Sequence, residues 1–189
     1  MAEAREPAPP PATAAPIRRS LSFRRMWLRA GPLGLGVGLI LGTIDAPSAP
    51  RLLWNASASA PIGLYAVQPG AGLRVGDMAV AVPPTAVRML AARRHYVPAN
   101  VPLVKRVAAI EGASVCAIGT AILVEGRVIA RRSPADPHGR PLPWWHGCRQ
   151  LAAGETLLLN SPANSFDGRY FGPVGKQAII GKAVPLWLR

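Results

Sequence analysis

Three short stretches of the chain hold residue types that can carry out nucleophilic chemistry together. The first is Asn55-Ala-Ser57-Ala-Ser59-Ala-Pro61-Ile-Gly63-Leu-Tyr65. Small residues there let backbone approach backbone, and Pro61 with Gly63 fixes a turn ahead of an apolar run. A hydroxyl at Ser59 would be exposed and rigidly presented, as a nucleophile must be. The second is Lys105, one of three lysines (Lys105, Lys176, Lys182) against nineteen arginines. It lies inside an apolar run whose alternation puts Leu103, Lys105 and Val107 on one face and Val104, Arg106 and Ala108 on the other. With Leu103 and Val107 turned inward, Lys105 loses water and its pKa falls. A neutral lysine amine is a competent general base toward a serine hydroxyl. Arg106 is not, because a guanidinium stays protonated. The third is Asn164-Ser165-Phe166-Asp167-Gly168-Arg169-Tyr170-Phe171-Gly172. An Asp167–Arg169 pair beneath a site orients its neighbours, and Ser165 offers a hydroxyl to a lysine amine.

Each stretch also has a plainer reading. The serine segment is equally a Ser/Ala/Pro linker. Lys105 is merely solvated if Arg106 points inward instead, and residues 164–172 make an ordinary Asx-turn with a surface ion pair.

The elements that must position these residues read as mostly β. Short apolar runs cut by Gly and Pro predict strands at 64–67, 77–82, 103–109, 121–124, 127–130, 156–159 and 178–184. Val124-Glu125-Gly126-Arg127 is a hairpin turn by composition. One helix is predicted over 84–94, where Val87, Leu90 and Ala91 recur at helical spacing. Residues 131–147, rich in Pro, Gly and charge, read as a loop or small insertion. Packed antiparallel sheets or a partly open barrel satisfy this pattern.

Ahead of the β region, Arg18, Arg19, Arg24, Arg25 and Arg29 lead into an uncharged stretch from Ala30 to Ile44. A helix from Met26, with Arg29 snorkelling to the headgroups, spans about 28 Å, close to the roughly 30 Å hydrocarbon core. Its glycines and proline suit a membrane helix better than a soluble one. The expected organisation is a flexible cytosolic tail over 1–22, a transmembrane signal-anchor over 23–46 and an exported domain over 47–189. Arginines before the apolar stretch put the N-terminus in the cytoplasm and the exported domain outside.

The net charge of +13 invites a nucleic-acid partner. Its distribution argues against one. Residues 1–29 carry six arginines against Glu3 and Glu6, and the remaining basic residues are scattered without interleaved aromatics. A lipid bilayer or an acidic partner fits the charge equally well. Cys116 and Cys148 are an even pair in a region expected to be oxidising, open to a disulfide or to two reduced core cysteines. Three scattered histidines (His95, His138, His146) and no Cys-x-x-Cys pair point to no metal site, and the chemistry needs no cofactor.

Taken together, the stretches resemble the type I signal peptidase family, and within it the conjugal-transfer (TraF-type) pilin-maturation branch. The Ser-x-Pro segment behind an anchor matches Ser59-Ala60-Pro61, Lys-Arg-Val matches Lys105-Arg106-Val107, and Asn-Ser-x-Asp-x-Arg matches Asn164 through Arg169. The resemblance implies a mostly β fold of signal-peptidase-like antiparallel sheets behind an N-terminal transmembrane helix. It implies a serine endopeptidase with Ser59 as nucleophile, Lys105 as general base and the Ser57 hydroxyl in the oxyanion hole. Ser165, Asp167 and Arg169 take supporting roles. The implied substrate is an exported precursor, extended and small-sided at the cut, in this branch a pilin. The implied site of action is the periplasmic face of a bacterial inner membrane. A general signal peptidase, or a non-enzymatic envelope component of a conjugation apparatus, shares the anchor and the β fold.

Overall fold

The structure, a computed structural model, describes residues 50–189. The expected tail over 1–22 and membrane anchor over 23–46 lie outside the described residues. Among the described residues no helix is long and apolar enough to cross a membrane.

Ten strands form two antiparallel sheets. The larger takes β1 (Leu52–Asn55), β2 (Gly63–Gln68), β3 (Met78–Ala81), β4 (Leu103–Ile110), β9 (Thr156–Leu159) and β10 (Ile179–Leu188), in the order β1-β2-β10-β3-β4-β9. The smaller is β7-β6-β5-β8, from β5 (Ser114–Ile118), β6 (Ala121–Val124), β7 (Arg127–Arg131) and β8 (Gly147–Gln150). Of the two arrangements the sequence left open, these are separate sheets. No strand pairing among the described residues closes either into a barrel. Among the described residues two α-helices, α1 (Thr85–Arg93) and the single turn α2 (Gly168–Phe171), and a 3-10 turn over Lys176–Ala178 complete the set.

The pleat explains the core. Val104 pairs with Val80 and faces a cluster with Tyr65, Val67 and Ala183. Lys105 pairs with Ala79, whose face carries Ala81, Val107, Leu158 and Val174. A third cluster, with Ala109, Val115, Ile122 and Leu157, joins the two sheets. Glu125 and Gly126, at φ 48° and 73°, supply the two left-handed positions of the β6–β7 hairpin. At Gly63 (φ 154°) a Cβ would sit 2.1 Å from the Trp187 carbonyl oxygen, so only glycine lets β2 lie this close to β10.

Seven of the strands and α1 fall on the runs read as such from sequence. β1, β5 and β8 do not, because each is short and β8 (Gly147-Cys-Arg-Gln) is exposed throughout, leaving no alternation to read. β10 runs past Val184 to Leu188. Its Pro185 lies beyond the last residue paired with β3 and beside a bulge, where proline is tolerated.

Candidate active site

The turn between β1 and β2 presents Ser59. Buried Asn55, the last residue of β1, organises it: Nδ2 donates to the carbonyls of Ser57 (3.0 Å), Ala60 (3.2 Å) and Pro61 (3.0 Å), and Oδ1 accepts from the N–H of Ser57 at 3.2 Å. The Tyr65 hydroxyl also donates to the Pro61 carbonyl, at 2.7 Å. One buried amide therefore replaces the regular pairing that a tight turn lacks. Ser59 is half-buried on it. Ser57 is exposed, with its Oγ 3.0 Å from Ser59 Oγ and accepting the Ser59 N–H at 3.3 Å.

Lys105 points inward from β4, only 3% exposed, while Arg106 faces solvent. The two hydroxyls meet at its amine: Nζ lies 3.0 Å from Ser59 Oγ and 2.9 Å from Ser165 Oγ. Among the described residues it forms no ion pair with a carboxylate. Burial, partly opposed by the nearby Asp167 charge and reinforced by Arg169, brings the amine down from 10.5 to about 8. A neutral amine at this separation can accept the proton of Ser59.

The third stretch lies beneath the amine. Ser165, Asp167 and Arg169 are 1%, 0% and 2% exposed, so the surface ion pair is replaced by a fully buried one. Asp167 caps α2 by accepting the Arg169 N–H, and its Oδ2 accepts the Asn160 N–H at 2.9 Å. Arg169 spends its remaining donors on the carbonyls of Asn160, Ala163 and Arg131. Gly168 is what brings this turn against β9: a Cβ there would meet the Leu158 carbonyl oxygen at 2.6 Å.

Two residues of the site carried no role in the sequence reading. Asn55 looked like part of a small-residue segment. Asn160 lies at the end of β9, where Oδ1 accepts the Arg106 N–H at 2.9 Å and Nδ2 donates to the Val104 carbonyl at 3.1 Å. Its amide brackets Lys105 and continues the β4–β9 ladder by side chain. A buried-amide role of this kind has no local spacing to announce it.

Beside Ser59 opens a cavity of about 370 Å³, walled by Pro61, Ile62, Met78, Arg106 and Asn160 among others. Cys116 and Cys148, directly opposed on β5 and β8, form a disulfide.

The family described as signal peptidase, peptidase S26, matches residues 24–188. The chain belongs to this signal peptidase family. It is accordingly a serine-type endopeptidase, and family membership supports a membrane location. Among S26 relatives, a probable conjugal transfer protein TraF of Sinorhizobium fredii is 32% identical, with 89% of this chain and 94% of the relative covered. A plasmid transfer protein TraF of Escherichia coli is 34% identical over 67% of this chain and 77% of its own length. A conjugal transfer protein TraF of Agrobacterium fabrum is 30% identical over 70% and 80%. The crystal structure of a signal peptidase I from Enterococcus faecalis aligns with 59% of this chain and 97% of its own, at 15% identity and a TM-score of 0.34.

Proposed function

We propose that this signal-peptidase-family protein uses Ser59 as nucleophile and Lys105 as general base to cleave exported precursor proteins, its substrate being a conjugative pilin precursor. The observation that carries the reading is the position of a buried, pKa-lowered amine 3.0 Å from a serine hydroxyl. Neutral Lys105 takes the Ser59 proton as Oγ attacks the scissile carbonyl, and returns it to the leaving amine. The developing oxyanion takes the Ser59 N–H and the Ser57 hydroxyl, replacing the 3.3 Å contact these two groups make with each other. Ser165 holds the lysine amine on its other side, and the Asp167–Arg169 pair fixes Ser165's turn. Water, or the substrate's own terminus, then resolves the acyl-enzyme.

The pilin substrate is supported by the relatives named for conjugal and plasmid transfer. A membrane-facing edge is supported by a patch of exposed Leu52, Trp54, Leu186, Trp187 and Leu188 on β1 and β10. Trp54 and Trp187 have ring centroids 5.7 Å apart, a composition suited to a lipid interface. This patch lies near the start of the described chain and beside the Ser59 turn.

The test is co-expression with a small pilin precursor. Ser59→Ala and Lys105→Ala each abolish processing while the protein remains in the membrane fraction. Lys105→Arg keeps the charge and removes the base, and is also inactive. Processing retained by any of the three refutes the assignment.

A further inference from the structure

Two side chains of the 131–147 stretch reach the turn that carries Ser165, Asp167 and Arg169. Trp145 lays its indole over α2: Nε1 donates to the Gly168 carbonyl at 3.0 Å, and the ring comes within 3.6 Å of where a Cβ on Gly172 would sit. Gly168 is thus pinned on both sides, by β9 on one and Trp145 on the other. Arg132 is 3% exposed and makes no ion pair among the described residues. Three carbonyls take its place: Gly119 (3.1 Å from Nε, 2.9 Å from Nη2), Trp145 (2.8 Å) and Arg169 (3.4 Å). The Trp144 ring lies 4.1 Å from its guanidinium carbon. A buried guanidinium without a carboxylate is a costly way to fill space. Here its fork ties together the β5–β6 turn, the loop before β8 and α2.

We propose that Trp145, held by Arg132, is a positioning residue for peptide-bond cleavage: it clamps Gly168 and thereby sets Ser165 against the Lys105 amine. The inference rests on the Ser59–Lys105 reading. The path is short and continuous. Gly168 stands between Asp167 and Arg169, and Asp167 holds the Asn160 N–H while Arg169 holds the Ala163 carbonyl. Ser165 N–H donates to the Pro162 carbonyl at 3.0 Å. The whole 160–169 turn is one hydrogen-bonded unit, and the indole N–H ties it to the loop before β8, beside the Arg169–Arg131 and Arg132–Arg169 hydrogen bonds that join it to the second sheet. A displaced turn withdraws the Ser165 oxygen from Nζ and admits water to the amine. Misplacement of this kind, away from the bond being broken, lowers turnover steeply.

The experiment uses the full chain in detergent with lysine carrying a 13Cε label, which gives three side-chain signals because the sequence has three lysines. Lys105→Met assigns one of them. Titrations of the parent, Trp145→Phe, Trp145→Ala and Arg132→Met are read beside kcat and KM on a fluorogenic peptide with alanine on both sides of the scissile bond. In the parent the Lys105 signal titrates near 8. In Trp145→Ala and Arg132→Met it moves toward the ordinary lysine value, and kcat falls on the order of tenfold to a hundredfold with KM unchanged. Trp145→Phe keeps the ring and loses the N–H. It gives a smaller shift and loss in the same direction, and decides the matter if Trp145→Ala does not fold. Parent-like titration and kcat in the folded variants overturn the clamp alone. Parent Lys105 titrating at the ordinary lysine value, or peptide cleavage retained by Lys105→Met, overturns the Ser59–Lys105 reading and the clamp with it.

Discussion

The guanidinium of Arg169 meets the carboxylate of Asp167 as a fork on a fork, Nε to Oδ1 at 2.8 Å and Nη2 to Oδ2 at 3.1 Å, with both side chains out of water. Removing one partner of such a pair leaves the other charge buried and alone. Asp167→Ala should therefore destabilise the fold by about 3–5 kcal/mol. Glu155→Gln, which breaks the exposed Arg149–Glu155 pair, should cost less than about 1 kcal/mol. Urea denaturation of both variants checks the contrast, and equal losses would contradict it.

Lys105 gives a pH dependence of definite sign. Its folded value is about 8 against 10.5 in the unfolded chain. Between those values the unfolded state binds more protons, so stability rises with pH; below about 8 the cost of a dry ammonium is present in full. Lys105→Met should be inactive yet more stable than the parent at pH 7, by up to about 3 kcal/mol. That gain should shrink as pH climbs from 8 to 10.5. Cleavage by the parent should rise through the same lower value, and a rate flat from pH 6 to 9 would be inconsistent with a lysine base.

Asn55 holds the Ser59 turn with four hydrogen bonds. Asn55→Ala leaves the Ala60 carbonyl and the Ser57 N–H without their partners and should lower stability by about 1–3 kcal/mol. Its larger effect should fall on turnover, since the nucleophile loses its fixed presentation. The comparison is kcat at a temperature where the variant is fully folded, and a parent-like kcat would leave Asn55 a purely structural role.

The disulfide closes a sequence separation of 32 residues across the β5–β8 pair. Chain-entropy considerations give its removal a cost of about 3–4 kcal/mol. A Cys116→Ser, Cys148→Ser double variant should show that loss in urea. An unchanged midpoint would mean that the β5–β8 ladder alone holds this edge.

Much of this site was legible because local pattern and tertiary role agreed. The alternation of β4 put Lys105 and Arg106 on opposite faces and left open which one turned inward; the structure turns Lys105 inward and Arg106 outward. The Glu125-Gly126 turn and the 156–159 strand were equally local. The depth of Asp167 and Arg169 was not legible, since an Asp-x-Arg spacing is the same at a surface as in a core. Asn55, Asn160, Arg132 and Trp145 were missed for a related reason. Their hydrogen-bond partners are backbone carbonyls and N–H groups, which are common to almost every residue type (proline lacks the N–H), so no residue type elsewhere in the sequence points back to them. Short, exposed β8 lacked any alternation to reveal it.

Gly63 fits under the Trp187 carbonyl, and the Arg189 N–H donates to the carbonyl of Ile62 at 2.9 Å. The Ser59 turn thus leans on residues more than a hundred positions later in the chain. A ribosome delivers Ser59 more than a hundred residues before its support, and a strand threaded between β2 and β3 has no substitute from earlier in the sequence. Chains that lack β10 therefore hold Ser59, Lys105 and Ser165 without the wall that aligns the Ser59 turn, so cleavage by the proposed dyad should wait until β10 is in place.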